Sequence, residues 1–157
     1  MKIHEVRVHP SKDNLPREQQ LAWKIAEVAA AKAPLDEGAL EMSINRIIDN
    51  TAVAVAAINR TPVANARSQA LAHPRNGGAT VYGMPNDQTF HAEWAAWANG
   101  VAVRELDMHD TFLAADYSHP GDNIPPIIAV AQQCAQLHGL SGMDILRGIL
   151  TAYEIQI

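Results

Sequence analysis

The sequence predicts an all-α domain, a bundle-like set of helices around one long central helix. Three observations carry that expectation. Leu40, Ile44, Ile47, Ile48, Thr51, Val55 and Ile58 recur at intervals of three and four over about 20 residues. Similar stripes recur in at least four other segments. Only two short stretches look extended, one near the N-terminus and one around residues 79–82. The chain has 157 residues, enough for one domain with a real core.

Taken in order, Ile3, Val6 and Val8 suggest a short β-like start, followed by a polar loop from Pro10 to Asn14. A helix is expected from Pro16 to Lys32, with Pro16 in the tolerated first turn. Leu21, Ile25 and Val28 mark its apolar face, with Trp23 beside them. Asp36 is placed to cap the long helix, expected to reach about Asn59. Its Ala52–Ala57 half is apolar all round and is expected to be buried on every side. Thr61-Pro62 breaks it, and a shorter helix runs from Val63 to Ala72.

Gly77-Gly78 and Gly83 punctuate the extended piece from Ala79 to Tyr82. The paired glycines read as a tight turn, or as backbone free to face an anion, but GxxxxGK[ST] is absent. Asn86 or Asp87 can cap the next helix, with Phe90, Trp94, Trp97 and Val101 as its stripe. A glycine inside a helix costs about 1 kcal/mol against alanine, so Gly100 implies either close packing or a bend. Asp122 or Asn123 caps a helix that opens at Pro125-Pro126, carries Ile127, Ile128, Ala131 and Leu137, and ends at Gly139. Ser141 and Asp144 form a capping-box-like start to the last helix, with Ile145, Leu146, Ile149, Leu150 and Tyr153 inward.

Composition excludes several classes. Net charge is −5 without long runs, against nucleic acid as a partner. No apolar run reaches about 18 residues, so no membrane span is expected. The first residues lack the apolar core of a secretory signal, and the single cysteine, Cys134, fits a reducing compartment such as the cytoplasm. One cysteine also cannot hold an iron–sulfur cluster of the usual kind. Cys134 itself reads as a buried small hydrophobe.

The chemistry concentrates in Asn99–Pro126, NGVAVRELDMHDTFLAADYSHPGDNIPP, where five acids and two histidines lie between helices. So long a connection inside a compact domain is usually functional or disordered, and Met108, Phe112, Leu113, Tyr117 and Ile124 argue for order. His119, in Ser118-His119-Pro120-Gly121-Asp122, is the stronger candidate for proton exchange near neutral pH; its competing role is to hydrogen-bond the loop. His109, between Met108 and Asp110, reads more readily as solvated or orienting. Asp107 follows a helix-like run, where an acid opposes the macrodipole. It serves either as a carboxylate for proton transfer or hydroxyl binding, or as a cap for the next turn. Thr111 would share its face if the turn stayed helical. Asp116 and Asp122 read as a turn former and a helix cap. Asp107, His109, Asp110 and His119 are plausible metal ligands by type, but their spacing matches no compact motif, and no metal is expected. The N–H groups opening the following helix are a candidate carboxylate cradle, weakened by Pro125 and Pro126.

On AAWANGVAVRELDMHDTFLAADYSHPGDNIPPIIAVAQ, together with GATVYG, RIIDNTAVAVAAINRTPVANAR and ILRGILTAYEIQI, the chain resembles the MmgE/PrpD family. Met108 stands where that family more often has Phe, a packing exchange. The resemblance implies the N-terminal part, over 1–157, of a helical domain whose companion α/β domain lies further along a longer chain. It implies a cytoplasmic homodimer and a lyase acting without cofactor on a small tricarboxylate. The implied reaction dehydrates 2-methylcitrate to 2-methyl-cis-aconitate in the methylcitrate cycle of propionate catabolism. It carries catalytic roles onto Asp107, Thr111 and His119, with His109, Ser118 and Asn123 as substrate-binding candidates. The alternatives are a relative acting on cis-aconitate or citrate, and an inactive helical binding or dimerisation module. The apolar end YEIQI is read as the end of a piece rather than of a whole domain.

Overall fold

The computed structural model describes residues 4–157, without the Gln136 side chain. It is predominantly helical. Six α-helices follow one another: α1 Leu21–Ala29, α2 Glu37–Ala56, α3 Thr61–Leu71, α4 Ala92–Arg104, α5 Ile124–His138 and α6 Gly142–Gln156. Between α3 and α4 lies β1, Pro74–Ala79, and between α4 and α5 the two-residue strands β2, Phe112–Leu113, and β3, Tyr117–Ser118. No described helix is long and apolar enough to cross a membrane.

The N-terminal expectations need correction. Val6 and Val8 form no strand, and Val8 is 97% exposed; a strand requires a partner edge, and none lies beside them among the described residues. Ile3 falls outside those residues. The expected helix from Pro16 to Lys32 is broken. Arg17–Gln19 form a 3-10 turn, Gln20 is extended (ψ 146°), and only then does α1 begin. Leu21 and Ile25 face solvent, while the Arg17 guanidinium lies 5.1 Å from the centre of the Trp23 ring, a cation–π contact.

The central helix is α2. The Asp36 carboxylate accepts the Ala39 N–H at 3.0 Å, satisfying one of the orphan donors of the first turn. Its apolar half is not buried all round. Val53, Ala54 and Ala57 are interior, but Val55 is 57% exposed and lies with Ile44 and Ile48 on an exposed apolar stripe. Composition alone cannot say which side of an all-apolar helix meets a neighbour. Pro62 falls in the first turn of α3, where its missing N–H leaves nothing unsatisfied.

The extended piece expected at 79–82 lies earlier, in β1. Pro74 and Ala79 bridge Phe90, and Gly78 approaches it so closely that a Cβ there would stand 2.1 Å from the Phe90 carbonyl oxygen. Residues 80–82 are held by side chains instead of a strand. Asn99 of α4 accepts the Tyr82 N–H at 2.9 Å and donates to the Thr80 carbonyl at 3.0 Å, and Gln132 of α5 accepts the Thr80 N–H at 3.0 Å. Buried Asn99 thus saturates backbone that would otherwise need a sheet.

The buried face of α4 is mostly alanine, with Asn99 and Val103, while Trp94 and Val101 of the expected stripe pack partly against the core and Trp97 does not. Ala95, Ala98 and Ala102 are at most 1% exposed, whereas Trp97 is 57% exposed. Small side chains let α3, α4, α5 and β1 approach closely, and the main core cluster lies among them. Trp94 stacks on His73, ring centres 3.9 Å apart. The helix is capped by neither Asn86 nor Asp87: its N-cap is His91, which makes no side-chain cap bond. Nothing lies within 4 Å of a Cβ built on Gly100, so close packing does not explain that glycine. α5 opens with Pro125 and Pro126 and ends at Gly139, left-handed at φ 61°, as expected of a helix stop. Leu137 of α5 is exposed. α6 carries the full capping box of Ser141 and Asp144 and buries Ile149, with Ile145, Leu146, Leu150 and Tyr153 partly covered.

Candidate functional site

The loop from Glu105 to Asn123 is ordered by three devices. The first is a left-handed residue. α4 stops at Arg104, and Asp107 takes φ 51°, the only positive φ among the described non-glycine residues. Aspartate tolerates this region through its short polar side chain. The Asp107 N–H donates to the Arg104 carbonyl at 3.0 Å, and its carboxylate meets the Arg104 guanidinium at 3.0 Å. The macrodipole objection to an acid here is eased by that cation and by the turn away from the helix axis.

The second device is the hairpin. β2 and β3 pair antiparallel, with Phe112 opposite Ser118 and Leu113 opposite Tyr117. Continued by one residue, that register sets Thr111 opposite His119. Their side chains meet, Thr111 Oγ1 lying 3.3 Å from His119 Nδ1. A hairpin, not a helical turn shared with Asp107, therefore brings Thr111 into the cluster.

The third device is buried Asp110. Its Oδ1 accepts the Gly121 N–H at 2.8 Å, its Oδ2 accepts the Tyr153 O–H at 2.6 Å, and Arg46 Nε lies 3.9 Å from Oδ2. Its main-chain carbonyl accepts the His119 Nδ1–H at 2.9 Å. A carbonyl only accepts, so in the neutral ring the proton sits on Nδ1 and the lone pair on Nε2. Nε2 lies 3.8 Å from the Asp107 carboxylate.

His109 lies behind His119. It is 4% exposed, its Nε2 is 2.8 Å from the Asp122 carboxylate, and the two imidazoles stack with centres 4.9 Å apart and planes inclined by 27°. Tyr117 meets His119 edge-on at 6.3 Å. Asp122 is thus the partner of a histidine and not the side-chain cap of the next helix. Asn123 takes the N-cap position of α5 without a cap bond; its amide donates to the Pro120 carbonyl and to Gln156 of α6. The Ser118 hydroxyl and His109 Nδ1 are buried without hydrogen-bond partners among the described residues. The expected N–H cradle is occupied by the protein itself, the Gly121 N–H going to Asp110 and the Asp122 N–H to the His119 carbonyl.

The structure therefore brings together Asp107, Thr111, His109 and His119, keeps Ser118 beside them on β3, and turns Asn123 toward α6. Sequence reasoning missed Asp110 as the hub, together with Tyr153 and Arg46 as its partners. Tyr153 is 43 residues away in the chain, and its spacing on α6 marks only an inward position. Burial, then the hydrogen bond to Asp110 and the charge there, push the Tyr153 phenol above its ordinary value.

One ligand atom from each of Asp107, His109 and His119 lies within 4.8 Å of the others. Their orientation suits a metal poorly. An imidazole binds a metal near its own ring plane, about 2.0–2.1 Å from nitrogen, and two stacked rings inclined by 27° do not converge on such a point. The fourth candidate, Asp110, is committed to Gly121 and Tyr153.

Fold and loop together define a helical domain that presents two histidines, a threonine and an aspartate at one hairpin. The chain belongs to the MmgE/PrpD family: the model of the MmgE/PrpD N-terminal domain matches residues 19–157. It is 40% identical over 70 residues to the probable 2-methylcitrate dehydratase of Saccharomyces cerevisiae, covering 39% of this chain and 14% of that protein. It is 38% identical over 68 residues to the 2-methylcitrate dehydratase of Escherichia coli O157:H7, covering 40% and 14%. The cis-aconitate decarboxylase of Mus musculus is 28% identical over 123 residues, covering 78% of this chain and 25% of that protein. The chain thus matches between 14% and 25% of the length of these relatives.

Proposed function

We propose that this chain supplies the Asp107–Thr111–His119 side of a hydro-lyase site that dehydrates 2-methylcitrate to 2-methyl-cis-aconitate, in the methylcitrate cycle of propionate catabolism. The observation that carries the reading is the tethering of His119 through Nδ1, which leaves Nε2 as the basic atom beside Asp107. The elimination needs a base for the proton α to a carboxylate. The C–H electron pair becomes the new C=C bond, the C–O bond breaks, and the departing hydroxide takes a proton and leaves as water. His119 Nε2 is the proton-transfer atom, and Asp107 orients the substrate hydroxyl or shares the proton. Thr111 Oγ1 lies 3.3 Å from His119 Nδ1, whose proton goes to the Asp110 carbonyl, so the Thr111 O–H is free to donate to a substrate oxygen. His109, held by Asp122, backs the His119 ring, and the unpartnered Ser118 hydroxyl is the remaining candidate substrate contact, since the Asn123 amide is taken up by Pro120 and Gln156. No step requires a metal. The relatives' names support the substrate class, and their lengths support a site completed by residues outside these 157. The exposed apolar stripe of α2 supports further protein covering it, as a homodimer would, and the single cysteine supports a cytoplasmic setting.

The test offers 2-methylcitrate to the full-length gene product with a metal chelator present and follows the conjugated alkene. His119→Ala is expected to lose at least about 100-fold in turnover. Near-normal turnover by that variant, or activity that the chelator abolishes, overturns the reading.

A second reading rests on coverage: the decarboxylase matches 78% of this chain and the Escherichia coli dehydratase 40%. Here the same histidine delivers a proton to carbon as carbon dioxide leaves cis-aconitate. Carbon dioxide release from cis-aconitate, without alkene formation from 2-methylcitrate, selects it.

A further inference from the structure

We infer that Asp110 and Tyr153 are positioning residues that set the tautomer and aim of His119, so that α6 holds the imidazole from outside the loop. The inference rests on the reading of His119 as the proton-transfer group. Asp110 is tied at both ends. Its side chain, 4% exposed, is fixed by Tyr153 on α6 and by the Gly121 N–H, two residues beyond His119. Its carbonyl is the acceptor that puts the His119 proton on Nδ1. Once the carboxyl group is released, the Asp110 backbone is no longer pinned and its carbonyl is free to turn, so the ring loses the partner that distinguishes its two nitrogens.

Two further observations show that the arrangement is built closely. A Cβ on Gly121 would lie 2.3 Å from Asp110 Oδ1 and 2.8 Å from Asn50 Nδ2, so only glycine lets the backbone reach the carboxylate. The groups facing His119 are Asp107 at 3.8 Å, Thr111 at 3.3 Å, and the His109 and Tyr117 rings. None of them offers Nδ1 a fixed acceptor: the Thr111 hydroxyl rotates and can donate or accept. The Asp110 carbonyl is therefore what decides the tautomer. Such second partners commonly fix which imidazole nitrogen is free to react.

The experiment reads the His119 ring nitrogens by nitrogen-15 NMR in the full-length gene product with labelled histidine. It needs no turnover, so its outcome stands apart from the substrate assay. In the unmodified protein the Nδ1–H tautomer is expected to dominate. Tyr153→Phe keeps the ring and removes the donor, and is expected to lower the Nδ1–H to Nε2–H ratio about fivefold, the scale of one net hydrogen bond. Asp110→Ala is expected to do at least as much. Asp110→Asn keeps an acceptor for Gly121 and a partner for the phenol, and is expected to hold the ratio. Tyr82→Phe is the control, since it removes a half-buried hydroxyl contact to Thr51 (3.2 Å) outside the loop, and should leave His119 unchanged. The inference is overturned if Tyr153→Phe leaves the ratio as it was, if Tyr82→Phe shifts it equally, or if Asp110→Asn shifts it as much as Asp110→Ala.

Discussion

On α4, Ala95, Ala98 and Ala102 are as buried as any side chains in the molecule, and they hold their neighbours by shape alone. A few residues further on, His109 and Asp110 are buried almost as deeply, yet they are held by directed bonds to Asp122, Gly121 and Tyr153. Alanine packing tolerates no added volume, because close-packed interiors transmit any misfit. The polar loop tolerates no loss of partner, because a buried donor or acceptor left unpaired costs about 1–3 kcal/mol. The scaffold is therefore broken by adding atoms, and the site by removing them.

The largest expected effect tests the scaffold. Gly78→Ala sets a methyl group against the Phe90 backbone, which cannot turn aside as a side chain can. A loss of about 3 kcal/mol or more is expected, seen as a fall in denaturation midpoint. A variant within 0.5 kcal/mol or so of the parent would show that β1 is not clamped on Phe90.

Gly121→Ala sharpens the comparison, because its obstacles are the side chains of Asp110 and Asn50. These can give, so a loss of about 1–3 kcal/mol is expected, with movement of the His119 signals that Gly78→Ala does not reproduce at matched folded fraction. Equal His119 shifts in both would mean that loop and scaffold are one unit.

Tyr153 tests the loop by pH. Its phenol is raised in the folded state. The sign follows directly: the neutral phenol is the favoured form, so its contribution is complete below the unfolded value of about 10 and is lost as pH rises through the higher folded value. The folded chain should show no Tyr153 phenolate absorbance near pH 10, with stability falling only above it. Ionisation of Tyr153 at pH 10 without unfolding would contradict the buried Asp110 contact.

The smallest effect lies at the α6 cap, outside both regions. The Ser141 hydroxyl, then the Ser141 backbone N–H, hold the Asp144 carboxylate below its ordinary range. Its stabilisation is present above about pH 3.9, the unfolded value, and is lost as pH falls through the lower folded value. Ser141→Ala should therefore destabilise slightly at neutral pH, and the difference should shrink in acid to what the Ser141 hydroxyl contributes by accepting the Asp144 N–H. A difference unchanged by acid would leave the carboxylate without a part in the cap.

Much of the architecture was legible in the residues, and for local reasons. Asp36, Gly139 and the Ser141–Asp144 pair act on backbone within a few positions of themselves, so helix ends could be read directly. Most of the wrong expectations concerned partners. Residue size alone puts Trp97 in the buried stripe of α4, whereas Ala95, Ala98, Asn99, Ala102 and Val103 form that face, Trp94 only partly covers it and Trp97 is exposed. The Ala79–Tyr82 piece was read as extended by itself, but its bonds go to Asn99 and Gln132, which no period reveals.

The same division runs through the site. Residue type and chain proximity suffice to make the chain helical and to gather Asp107, His109, Thr111 and His119 in one loop. Only the tertiary structure decided that a hairpin sets Thr111 opposite His119, that His109 lies behind it, and that Asp110 spans from the imidazole to Tyr153 on α6. The physical reason is that a hydrogen bond between residues 43 apart depends on how a helix packs against a distant loop, and packing is a property of surfaces that meet only once the chain has folded.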